Sequence, residues 1–215
     1  PPSTSYPEIP ENEHVTMKIA EAFGINTVPN SLIRLNSGEL AYITKRIDRT
    51  IDNQKIHMLD MFQITEAVDK YKSTMERVGK ALSQYSADTL MDQLSYFELV
   101  VFCFLTGNND MHLKNFSMIQ ANGKWALSPA YDLLNVNLAN PSDKEELALN
   151  MEGKKRKFTR HNFERFGANL GLNSKQIQGV FSRFEKKKSQ ALSLLNASFL
   201  TLEGRENYWS IMELR

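Results

Sequence analysis

The sequence predicts an α+β protein: one helix, a small β part, then a mainly helical second half interrupted by a single β-hairpin. Three observations predict it. Two short alternating runs flank the Asn36-Ser37-Gly38 turn near the start of the chain. A nearly apolar segment closes on Leu99-Val-Val-Phe-Cys-Phe-Leu105, the pattern of a buried helix. Helical segments then fill the last third, two of them opening on the good N-caps Thr159 and Asn173/Ser174.

Pro10-Glu-Asn-Glu13 opens a helix to about residue 23, with Val15, Ile19 and Ala22/Phe23 on one face and Gly24 as its stop. Residues 28–35 and 39–47 follow as strands, and Asp48-Arg49 ends the second. Arg46 and Arg49 straddle Asp48 as a salt-bridge set. A short helix is expected over 58–68 and another over 73–83, with Gly79 inside it. Residues 87–105 form the central helix and deliver Gly107. Asn115-Phe-Ser-Met-Ile119 and Trp125-Ala-Leu-Ser128 are extended segments around Asn122-Gly123, a strong type I′ hairpin signal because both turn positions need positive φ. Residues 136–158 are irregular, and helices over 160–170, 174–196 and 203–214 close the chain.

At 215 residues the chain suffices for one substantial domain, or for a lobe with an extension. A net charge of +1 supplies no strong field toward nucleic acid or membrane. The one cysteine, Cys103, lies in an apolar run with no activating base near it in sequence, so it reads as a small buried hydrophobe. A lone cysteine fits a reducing, cytoplasmic setting. Residues 1–13 carry no apolar signal-peptide core, and the longest apolar run is too short to span a bilayer. Two basic runs, 154–157 and 186–188, are either solvated surface or contacts to DNA or a partner.

The chemistry concentrates in residues 107–132, GNNDMHLKNFSMIQANGKWALSPAYD. Asp110 precedes Asn115 by five positions, the spacing of base and metal-binding amide in protein-kinase catalytic loops. Folding the chain about Asn122-Gly123 sets Asp132 opposite Leu113, and so roughly 5–8 Å from Asn115 across the ladder. One carboxylate and one amide oxygen are a sufficient protein share for Mg²⁺, which keeps waters and takes phosphates as its other ligands. Asp110 and Asn115 also suit a plain turn and cap after a helix. His112 has three readings: a phosphate contact, an orienter of Asp110, or a packed imidazole. No second His or Cys stands at zinc-ligand spacing. Glu13, in a first helical turn, complements the helix dipole whatever else it does.

These residues resemble a known family. Asn108-Asn109-Asp110-Met-His112-Leu-Lys114-Asn115-Phe-Ser, followed by Leu127-Ser-Pro129-Ala-Tyr131-Asp132-Leu, looks like the core of HipA-like toxin kinases. Pro10-Glu-Asn-Glu13 resembles that family's helix start, and Ile43-Thr-Lys-Arg46-Ile-Asp48-Arg49 its hinge motif. The resemblance implies a protein-kinase-like fold and transfer of a phosphoryl group from ATP, with Mg²⁺, to Ser/Thr hydroxyls of a protein substrate. It implies a toxin neutralised by a helix-turn-helix, DNA-binding antitoxin, with DNA touched only indirectly and no membrane involved.

Carried over by position, Asp110 is the catalytic base, with His112 and Lys114 close to the γ-phosphate. Asn115 and Asp132 are the Mg²⁺ ligands. Glu13 is the helix glutamate that pairs with a phosphate-binding lysine. Thr44, Lys45, Arg46 and Ile47 form the adenine hinge. The pattern usually has Glu where Lys45 stands and Phe where Ile47 stands. The ten glycines nowhere form G-x-G-x-x-G, and the family's strand lysine falls before Pro1. The chain is therefore expected to be a C-terminal kinase portion whose nucleotide-loop piece lies upstream. Residues 1–50 would be a remnant of the N-lobe, and 51–215 the helical C-lobe with its catalytic loop at 107–115 and hairpin at 115–132. Two alternatives remain open: a non-catalytic module that docks antitoxin or DNA, and a small-molecule or lipid kinase with the same loop.

Overall fold

In the computed structural model, which describes residues 6–215, the first element is helix α1, Ile9–Phe23. Pro10 sits in its first turn, where a missing N–H costs nothing. Gly24 ends it at φ 87°, a left-handed conformation that glycine adopts without strain. The helix buries Val15, Ile19 and Phe23, as their spacing predicts. Strands β1 (Asn30–Arg34) and β2 (Leu40–Thr44) pair antiparallel, from Asn30 opposite Thr44 to Arg34 opposite Leu40. Both are shorter than expected: β2 stops at Thr44, and Arg46 and Arg49 turn back onto Asp48 at 2.5 and 2.9 Å. Residues 1–5, the start of the expected N-lobe remnant, lie outside the described residues.

The helix expected over 58–68 is a correction. Met58–Asp60 is a strand, β3, and only Met61–Ile64 is helical (α2). Asp60 switches the chain from one to the other, its carboxylate accepting from the Gln63 backbone N–H while the Gln63 side chain accepts from Asp60 N–H. Three residues of alternation are too few to reveal a strand. What makes this one is its partner sixty positions on: β3 pairs antiparallel with β4, Ser117–Ala121, which pairs with β5, Lys124–Leu127. The expected hairpin is thus part of a three-stranded sheet, order β3-β4-β5. Its turn has φ 51° at Asn122 and 75° at Gly123, as a type I′ turn requires.

Helix α3 is Met75–Tyr85 and α4 is Thr89–Leu105. α4 is the spine of the core, with Phe97, Val100 and Phe102 fully buried, and Cys103 at 1 % exposure among them. Burial pushes the Cys103 thiol up, so it is protonated and inert. A short helix, α5 (Val136–Ala139), breaks the stretch expected to be irregular. Then come α6 (Arg160–Asn169), α7 (Ser174–Asn196) and α8 (Leu202–Glu213), close to the expected bounds. Asn173 caps α7 by a reciprocal pair of bonds with Gln176.

One seam fixes the site's two halves to each other. Val28 N–H donates to Ala130 O at 2.9 Å, and Ala130 N–H to Asn26 O at 2.8 Å. Asn12, buried on α1, donates to Asn135 O at 2.9 Å and accepts from Asn135 N–H at 2.8 Å. The first basic run is largely engaged locally: Lys154 bonds Lys157 O and Asn162, and Lys155 pairs with Glu145 at 3.0 Å. Among the described residues no helix is long and apolar enough to cross a membrane.

Candidate active site

Helix α4 hands over to the loop at Gly107, φ 71°. A Cβ there would meet Asn135 Oδ1 at 2.8 Å and Ile211 Cγ2 at 2.9 Å, so only glycine fits. Asn109 then ties the loop down by donating to Glu145 O at 3.0 Å. Asp110 stands at the loop's bend, half-buried. Its Oδ1 accepts from the Tyr71 hydroxyl at 2.8 Å.

The next residues close a tight 3₁₀ turn, Leu113–Asn115. His112 Nδ1 accepts from Lys114 N–H at 3.3 Å, which leaves the imidazole proton on Nε2. Burial, helped by the Lys70 charge, lowers the His112 pKa against the opposing pull of Asp110, so the ring is neutral. Its ring meets Tyr71 edge to face at 4.9 Å. His112 is therefore a packed imidazole held by Lys114 N–H and Tyr71, and its side chain makes no hydrogen bond to the Asp110 carboxylate.

Asn115 and Asp132 converge. Asn115 Oδ1 accepts from His112 N–H at 3.3 Å, and its Nδ2 donates directly to Asp132 Oδ2. Asp132 lies beyond β5, with its backbone left-handed at φ 59°. That conformation is strained for a side-chain-bearing residue. Neighbours hold it: Tyr131 donates to Lys114 O at 2.8 Å and shares a 2.6 Å bond with Ser117 Oγ.

The electrostatics are those of crowded acids. Burial raises the Asp132 pKa; the Asn115 amide opposes, and Asp110's charge adds to the rise. Glu13, on α1, is pushed up to about 8 by burial and then by Asp132. The Lys70 charge favours ionised Asp132. Carboxylates in mutual repulsion are what a hard dication relieves, so the cluster of Asp132, Asp110 and Glu13 fits Mg²⁺. Among the described residues no three His, Cys, Asp or Glu side chains converge as a metal cage. A cation here would rest on Asp132 and on Asn115 Oδ1, once the amide turns that oxygen from His112 N–H toward Asp132, with phosphate and water supplying the remaining oxygens.

The other expected site residues lie apart from this cluster. Lys114 is exposed, its ammonium 5.0 Å above the Phe62 ring rather than over the acids. Thr44, Lys45 and Arg46 are exposed, and Ile47 packs against the core. Lys45 N–H bonds Pro29 O at 2.9 Å. Among the described residues no hydrogen bond or ion pair links 44–47 to Asp110, Asn115 or Asp132. Sequence reasoning missed Tyr71 and Lys70, which lie about forty positions from Asp110 with no local motif. It also gave Tyr131 no role, although Tyr131 stands next to Asp132 in a motif it quoted.

A family model described as the HipA-like C-terminal domain matches residues 1–192. The chain belongs to that family. A relative in Haemophilus influenzae, named "Putative kinase", is 27 % identical over 230 residues, covering 93 % of this chain and 67 % of that protein. The solved HipA chain of a Shewanella oneidensis toxin–antitoxin complex with HipB and operator DNA superposes with a TM-score of 0.80 at 19 % identity. That match covers 94 % of this HipA-like domain and 53 % of the solved chain, so the domain spans about half of it. The Helicobacter pylori proinflammatory kinase CtkA superposes with a TM-score of 0.68 at 14 % identity, covering 97 % of this chain and 83 % of that one. At those identities the likeness is one of fold. The expected kinase-like α+β architecture is the one this HipA-like domain has.

Proposed function

We propose that the protein carrying this domain is an ATP- and Mg²⁺-dependent Ser/Thr protein kinase of the HipA toxin type. It acts in the cytoplasm on a protein substrate and is neutralised by a DNA-binding antitoxin. The observation that carries the chemistry is the convergence of Asn115 and Asp132 in direct contact, with Asp110 near enough for its charge to act on Asp132. The kinase names of its relatives and the HipA–HipB–DNA assembly of its structural neighbour support the reading.

In this reading Asp110 orients the acceptor hydroxyl and takes its proton as the bond to phosphorus forms. Asp132 and the Asn115 amide hold Mg²⁺, which neutralises charge on the phosphates of ATP. His112, neutral and fixed by Tyr71 and the Lys114 N–H, keeps the loop in shape beneath the reacting groups. Glu13 faces the phosphate side of the cleft, where a lysine from a preceding segment would pair with it. Residues 44–47 offer backbone groups to the adenine. Positioning and preorganised charge supply most of the rate.

The test is Asp110→Asn in the full-length protein, assayed by transfer of labelled γ-phosphate. Loss of a general base predicts a fall of at least about 100-fold, with nucleotide affinity nearly unchanged. Wild-type transfer by the variant removes Asp110 from the role.

A further inference from the structure

The Asp110 carboxylate has two oxygens and free rotation about its terminal bond, yet a base must present one oxygen to one hydroxyl. Among the described residues one side chain hydrogen-bonds to it: Tyr71, whose hydroxyl donates to Oδ1 at 2.8 Å. Tyr71 lies in the segment between α2 and α3, and that segment is pinned to the loop it serves. Leu113 N–H donates to Lys70 O at 3.2 Å, and Tyr71 N–H donates to Asp69 Oδ1 at 2.9 Å. The ring is held from two directions, by the His112 imidazole at 4.9 Å and the Lys70 ammonium at 4.8 Å. The hydroxyl therefore has a fixed place, although the residue keeps 39 % of its surface exposed.

We infer that Tyr71 is a positioning residue, which engages one oxygen of Asp110 and so aims the other at the acceptor hydroxyl. The inference rests on Asp110 being the base. Among the described residues Tyr71 makes no hydrogen bond to Asn115 or Asp132, the metal ligands of that reading. Its loss therefore lowers turnover and leaves nucleotide recognition alone. The contact with His112 uses the ring and survives removal of the hydroxyl, so Tyr71→Phe deletes one bond and keeps the packing.

The experiment compares wild type, Tyr71→Phe and Asp110→Asn in the full-length protein, reading kcat, KM for ATP and melting temperature. Misaiming a reacting group by a fraction of its travel predicts that Tyr71→Phe loses roughly 10- to 100-fold in kcat, with KM for ATP and melting temperature unchanged. An unchanged kcat overturns the inference. So does a raised one, which would mean that the hydroxyl blocks the acceptor's place. A fall in kcat that tracks a lower melting temperature and a higher KM also overturns it, since that is the mark of a structural role. Asp110→Asn separates the two claims. If it stays active, the assignment of the base fails. If it is dead while Tyr71→Phe is normal, only the role of Tyr71 fails.

Discussion

Glu13 shows how a site can be set against the fold that carries it. Its pKa of about 8 means that the folded chain keeps a proton which the unfolded chain, titrating near 4.5, gives up. Stability from this group is complete below about pH 4.5 and is lost as pH rises through 8. Glu13→Gln keeps the shape and cannot ionise. It is expected to melt a few degrees above wild type at pH 8.5 and level with it at pH 4.5, by calorimetry. An equal gap at both pH values would show that the carboxyl is not the cause. Asp132 shifts in the same direction, so the acids together make the apo site least comfortable at alkaline pH, where a cation or a partner lysine has most to offer. The same reasoning gives Asp110→Asn an effect beyond its own carboxylate. It removes one charge from this group and so leaves the neighbouring acids easier to ionise.

At the scale of elements, local chemistry was legible and long-range pairing was not. Gly24, Asn122-Gly123, Asn173 and the apolar run before Leu105 each declare their structure within a few residues. Helix α7 and the type I′ turn accordingly fall where the sequence puts them. β3 escaped because its three residues become a strand only against β4. Asn115 and Asp132 could be brought together by counting back from the turn, but the left-handed backbone of Asp132 at φ 59° could not be read from the pattern. Tyr71 was invisible for the same reason as β3: its partner is distant in sequence. Gly107 is the joint where element and site meet. Gly107→Ala drives a Cβ into Asn135 Oδ1 and Ile211 Cγ2 and puts a side chain at positive φ. Two such faults predict a loss of about 1–3 kcal/mol by denaturant unfolding. A variant as stable as wild type would mean that the loop relaxes freely.

At the scale of the whole molecule, two aspects of phosphoryl transfer divide between what these residues hold and what they lack. The acids, the amide and their supports are present and mutually braced. No glycine-rich phosphate loop occurs anywhere in the 215 residues. Mg·ATP titrated into this chain alone by calorimetry is therefore expected to bind weakly or not at all, since phosphate contacts are what backbone N–H groups of such a loop supply. Low-micromolar affinity would show that the acids and residues 44–47 suffice.

The paired amides of Asn12 and Asn135 carry one more consequence, because they stand 123 positions apart. During synthesis the residue that fastens α1 arrives only 123 positions after Asn12. Until then Glu13 has no Asp132 to face. A message cut short before residue 132 therefore encodes neither the acid that meets Asn115 nor the amide that fastens α1.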